Sequence, residues 1–181
     1  MPVFYLLIAF ALSVFSSATA ADQSQFRLGV GAYGMKLKYS VDGLPNNDFG
    51  SSLFAEYSEN NYAGSRLVVY SIKDDDKDIA AHGAEVQLLL GYGLANNGFR
   101  IYTGPTWHIE HMHLPRADDS SISHTFKGWA WQIGTGVQYK RFAIDYAFGL
   151  RNNQSYKHES RQAGNPGGGM YTQNILLGYR F

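Results

Sequence analysis

Residues Phe99 to Glu110, FRIYTGPTWHIE, alternate with a period of two. Phe99, Ile101, Thr103, Pro105, Trp107 and Ile109 fall on one face, and Arg100, Tyr102, Gly104, Thr106, His108 and Glu110 on the other. A helix does not sort residues this way; a strand does. At about 3.3 Å per residue, such a tilted strand is long enough to cross the hydrocarbon of a bilayer. The parity recurs. Trp129, Trp131, Ile133, Thr135 and Val137 oppose Gly128, Ala130, Gln132, Gly134 and Gly136; Phe142, Ile144, Tyr146, Phe148 and Leu150 oppose Ala143, Asp145, Ala147, Gly149 and Arg151. A water-soluble, calycin-like barrel would turn its apolar faces inward. Here the faces opposite the aromatics hold glycine, glutamine, glutamate, aspartate and arginine. The aromatic faces are therefore tolerable only against lipid.

Five further segments follow the same rule: from about Phe26, Phe49 to Tyr57, Gly64 to Ile72, Ala84 to Tyr92, and Met170 to Phe181. Gly64 to Ile72 is the least clear, since both its faces are partly apolar. Apolar parity changes near Gly34, which predicts a bulge there. Eight strands is an even number, and the connections alternate in length. Residues 59–62, 95–98 and 139–141 are short turns. The stretches near 40–48, 73–78, 111–123 and 152–169 are longer or more polar. Short periplasmic turns and longer outer loops account for this order. The fold expected is all-β: an eight-stranded antiparallel, up-and-down transmembrane barrel over residues 21–181, with both ends periplasmic. Lipid supplies no hydrogen-bond partner, so the sheet must close.

The first residues, MPVFYLLIAFALSVFSSATA, carry a short apolar run followed by Ala18-Thr19-Ala20. This is the pattern of a cleaved signal peptide over residues 1–20, although no Lys or Arg precedes the apolar run. Export then delivers the chain to the bacterial outer membrane. Fifteen basic side chains balance fifteen acidic ones, which argues against a nucleic-acid partner. Cysteine is absent, so no disulfide or cysteine-linked lipid forms.

Parity also nominates side chains. Arg27, Glu56, Glu85, Gln87, Arg100, Gln132, Asp145, Asn174 and Arg180 point into a bore barely wide enough for them. They are expected to form a packed polar network, with a narrow ion path as the alternative. His108, Glu110, His111 and His113, with His124 nearby, contain the ligand types for zinc or copper. On a continuous strand they would split between two faces, so a metal site requires a loop starting after Glu110. The run Lys73 to Asp78 is expected to be a solvated loop tip that can meet the divalent cations of lipopolysaccharide. No cofactor is expected.

The ending LLGYRF and the stretch GWAWQIGTGVQYKRFAIDYAFGLR resemble the OmpX/Ail family of small outer-membrane barrels. Opacity-type and OmpA-type barrels are near alternatives. The likeness covers most of residues 21–181 as a pattern and is tight from Gly128 to Phe181. It implies insertion by the barrel-assembly machinery, with Ile175, Leu177, Tyr179 and Phe181 as the terminal signal and part of an aromatic girdle. It also implies a non-enzymatic cell-surface role. Loops would contact lipopolysaccharide, neighbouring cells, or host surface and matrix molecules, in adhesion or virulence. The enzymatic alternative is lipid A deacylation. His158-Glu-Ser160 resembles the His-x-Ser pair of outer-membrane deacylases, with Ser160 as nucleophile and His158 as base. The acidic residue that orients the base in those enzymes falls here at Thr172. Glu159 or Glu110 would have to replace it. A barrel palmitoyltransferase would need a hollow, hydrocarbon-sized bore, which polar inner faces do not provide.

Overall fold

The computed structural model describes residues 25–37, 48–74, 79–115, 121–151 and 170–181. They form eight strands: β1 (Phe26–Leu37), β2 (Asp48–Ser58), β3 (Ala63–Asp74), β4 (Ile79–Tyr92), β5 (Gly98–Pro115), β6 (Ser121–Tyr139), β7 (Phe142–Arg151) and β8 (Met170–Arg180). Each pairs antiparallel with its sequence neighbours, and β1 pairs with β8 to close the barrel.

The register sets the width of the bore. Following partners around the wall, Arg27 faces Glu56, then Arg66, Gln87, Thr106, Ala130, Arg151 and Met170. Met170 returns to β1 at Leu37, ten residues beyond Arg27. That stagger tilts the strands by roughly 35–45° and leaves an interior filled by side chains. Room for them comes from small residues in the wall. Gly134 lies under the Tyr102 ring, and Gly136 faces Asp145; a methyl group on either would fall 2.3 Å from the ring or 1.9 Å from the carboxylate.

Alternation holds in every strand. Val30, Leu53, Val86, Trp131, Ile133, Ile144 and Leu177 are exposed on the outer wall, while Arg27, Phe54, Glu85, Arg100, Gln132 and Asp145 are buried inside. Three expectations change. First, β1 has no bulge at Gly34: its register runs unbroken from Phe26 to Met35 on one side and from Arg27 to Leu37 on the other. The apolar parity changes because Met35 belongs to the interior, while Gly34 faces out beneath the Phe49 ring. Second, residues 111–115 and 121–123 are not loop. β5 and β6 continue through them as a paired hairpin, with His111 opposite Thr125 and Pro115 opposite Ser121. The outward aromatics Phe99 and Trp107 bracket the apolar part of β5. The hairpin beyond them stands on the order of 15 Å clear of it. Third, the inner faces are not uniformly polar. Met35, Val68, Ile72, Ala81, Met112, Phe126 and Met170 form an apolar cluster in the half away from the chain ends, the half expected to be extracellular.

The β4–β5 ladder skips two pairs, between Gln87↔Thr106 and Leu90↔Thr103. Pro105 stands in the gap and has no N–H to donate. At the periplasmic end the β4–β5 turn folds into the bore. Gly93 (φ 81°) makes the bend, and Leu94 is buried against Leu89 and Tyr102.

Candidate functional site

The interior is built in layers. In the periplasmic half, Arg27, Arg66 and Arg100 converge on Glu56 and Asp145, all buried. Glu56 Oε1 accepts from Arg27 Nη2 and from Arg100 Nη2 at 2.8 Å. Its Oε2 accepts both Nε (2.8 Å) and Nη2 (2.6 Å) of Arg66. Asp145 Oδ2 accepts from Arg27 at 3.3 Å and from Arg66 at 3.2 Å, and Arg100 Nε lies 3.3 Å from Oδ1. Arg66 also sits over the Tyr102 ring, 4.9 Å from its centroid. Buried guanidiniums persist only where partners replace water. Here three of them share two carboxylates.

The extracellular half reverses the ratio. One guanidinium, Arg151, meets Glu85 (2.7 Å) and Glu110 (3.2 Å). Its Nη2 also donates to the Tyr33 and Tyr70 hydroxyls, at 2.7 and 2.9 Å. Each hydroxyl in turn donates to a carboxylate at 2.5 Å, Tyr33 to Glu85 and Tyr70 to Glu110. The two rings stack with centroids 4.0 Å apart. Met35 and Met170 sulfurs lie 3.7 and 3.6 Å from Arg151 Nη1, below the apolar cluster. Between the two layers, Gln87, Thr106, Gln132 and Asn174 line a cavity of about 10 Å³, room for about one water.

Of the side chains nominated from sequence, Arg27, Glu56, Glu85, Arg100 and Asp145 lie in these layers. Arg180 sits at the periplasmic mouth, where it donates to the Ala95 carbonyl (2.7 Å) and the Leu94 carbonyl (3.3 Å). The histidine-rich set does not gather. His108 and Glu110 are buried inside, whereas His111 is exposed on the outer wall. His113 stands on β5 opposite Ala80, and His124 is ring-stacked with Phe126. His158 and Ser160 lie outside the described residues. Ile175 and Leu177 face outward. Tyr179 and Phe181 join Phe26 and Phe142 in a chain of ring contacts 5.4 to 6.3 Å apart. The network nominated from sequence omits Arg66, Arg151, Tyr33, Tyr70 and Tyr102, although parity already sets Tyr102 and Arg151 on inner faces. Counting parity from Arg66 recovers the inner face of β3, and the same parity places Arg151 beside Asp145.

A closed eight-stranded wall that is apolar outside and ion-paired inside decides the class. The sequence model of the outer membrane protein beta-barrel domain matches residues 7–181. The chain belongs to this outer-membrane β-barrel family. No curated protein sequence matches it. Among solved structures it is similar to Ail, the attachment invasion locus protein of Yersinia pestis. Identity is 17%, 88% of this chain and 98% of that chain are covered, and the TM-score is 0.58. It is also similar to Neisserial surface protein A, at 11% identity, 89% and 100% coverage and a TM-score of 0.63. A third is the N-terminal barrel domain of Pseudomonas aeruginosa OprF, at 13% identity, 88% and 100% coverage and a TM-score of 0.57. These likenesses are of fold. The family places the barrel in the bacterial outer membrane.

Proposed function

We propose that this outer-membrane barrel is a non-catalytic surface protein, exported by cleavage of residues 1–20 and inserted through its β8 signal. Its extracellular β5–β6 hairpin and the connections at residues 38–47 and 152–169 carry its contacts. The observation behind this reading is the filled bore. Among the described residues, ion-paired layers, an apolar cluster above them and the Leu94 turn below occupy the bore, with a cavity of about 10 Å³ between the layers. Activity then resides outside the bore. Beyond the outward Trp107 and Trp129, Lys127 is exposed on the wall, at a height that suits the phosphates of lipopolysaccharide. Ail of Yersinia pestis has been crystallised with the heparin analogue sucrose octasulfate, which makes sulfated glycans of host surfaces the first ligands to try.

Cells displaying the intact chain should bind heparin and matrix-coated surfaces. Replacing residues 38–47, 111–123 and 152–169 by short turns should abolish that binding while the barrel still shifts on boiling in a gel. Undiminished binding by the loopless barrel would end this reading. Lipid A mass spectra from the same cells should match those of cells making Ser160→Ala. Loss of an acyl chain with the wild-type chain alone would make the protein an esterase instead.

A further inference from the structure

His111 has a partner that spacing along the chain does not reveal. The β4–β5 register sets it directly opposite His82. Both side chains are exposed on the outer wall, beyond the tryptophans. Directly opposed strand positions hold their Cβ atoms about 4.5–5.5 Å apart. The rings are held in matching fashion from opposite sides. His82 Nδ1 lies 3.0 Å from the Ser71 hydroxyl on β3, and His111 Nδ1 lies 2.9 Å from the Thr125 hydroxyl on β6. Each Nδ1 is thus turned away from the other histidine. In an imidazole the Nε2 sits on the edge opposite Nδ1, so the two Nε2 atoms face the shared gap between β4 and β5. With the proton on Nδ1 and donated to the hydroxyl, Nε2 carries the free lone pair. This is how metal-binding histidines are usually oriented.

We propose that His82 and His111 form a two-imidazole site for a borderline divalent ion, Cu²⁺ or Zn²⁺, on the outer wall of the barrel. Metal–nitrogen bonds of about 2.0–2.1 Å bring two Nε2 atoms to one ion with small ring rotations. Water fills the remaining positions. Ser71 and Thr125 are positioning residues that fix the ring edges. Lys73 and Lys127 are exposed nearby, and their charge selects against weakly held cations. Imidazole nitrogens in any case favour copper and zinc over magnesium and calcium. The site differs from the histidine cluster read along the sequence: it uses one of those residues and recruits its partner from the neighbouring strand.

The test is calorimetric titration of the folded chain in detergent micelles with CuCl₂ and then ZnCl₂, after chelator treatment. One ion per barrel is expected. His82→Ala or His111→Ala should weaken binding about a hundredfold, and Ser71→Ala with Thr125→Val about tenfold. His124→Ala should leave it unchanged. The exposed variants should keep their heat-modifiable migration, so a loss of binding will not reflect a loss of fold. Equal uptake by the His82→Ala/His111→Ala double variant would overturn the site. So would displacement of the ion by millimolar Ca²⁺, which would point to carboxylates.

Discussion

The two halves of the bore solve the same problem with opposite charge. Toward the periplasm three guanidiniums surround two carboxylates; toward the outside one guanidinium serves two carboxylates. The excess is tolerable in each place for a different reason. The periplasmic arginines lie against aromatic faces, Arg66 and Arg100 both over Tyr102. The outer carboxylates receive neutral donors, the Tyr33 and Tyr70 hydroxyls. A carboxylate can also be relieved by taking up a proton, whereas a guanidinium cannot release one. The halves should therefore fail differently.

The largest effect is expected from Glu56→Gln, which leaves three buried arginines facing Asp145. A cost of about 3–5 kcal/mol is expected, read by urea titration of the folded barrel in micelles. Arg151→Met should cost about 3 kcal/mol at neutral pH. Adding Glu85→Gln to Arg151→Met should recover much of that cost, because a neutral amide replaces the stranded carboxylate. If the double variant is no more stable than Arg151→Met alone, the contrast between the halves is wrong. Leu94→Ala, which empties the periplasmic cap, should cost about 2–3 kcal/mol and raise ion leakage across planar bilayers. Stability lost without leakage would show that the ion-paired layer alone seals the bore. The smallest effect is at the β6–β7 turn. Lys140 holds a left-handed conformation there, with φ 51°. Lys140→Gly should stabilise the barrel by about 0.5 kcal/mol, visible as a small rise in the urea midpoint.

Most of the wall was legible because its two sides face different solvents. A period of two is all that lipid outside and a crowded bore inside require, so Phe99, Trp131 and Ile144 declare themselves. Where that contrast fades, reading fails. Beyond the aromatics, β5 and β6 have water on their outer face. His111 and Thr125 there look like loop residues although they are paired strand. In β1 and β3 the inner face is itself apolar, at Met35, Val68 and Ile72, and parity blurs. Pairings across the bore were illegible for a further reason. Arg27 meets Asp145, 118 positions away, and only the ten-residue stagger brings them level. His82 and His111 meet by the same logic, through register rather than spacing.

The Arg180 contact at the periplasmic mouth also bears on how the molecule is made. The last arginine of the last strand donates to carbonyls of the β4–β5 turn, 85 positions earlier, and Ser58 of β2 donates to the same Leu94 carbonyl. β8 reaches that turn while paired with both β7 and β1, and the turn meets it with Leu94 buried inside the bore. Seam and stopper thus complete one another. A barrel closed with the turn outside would leave Arg180, a buried side chain, without those carbonyls, so closing the wall and seating the plug stabilise each other.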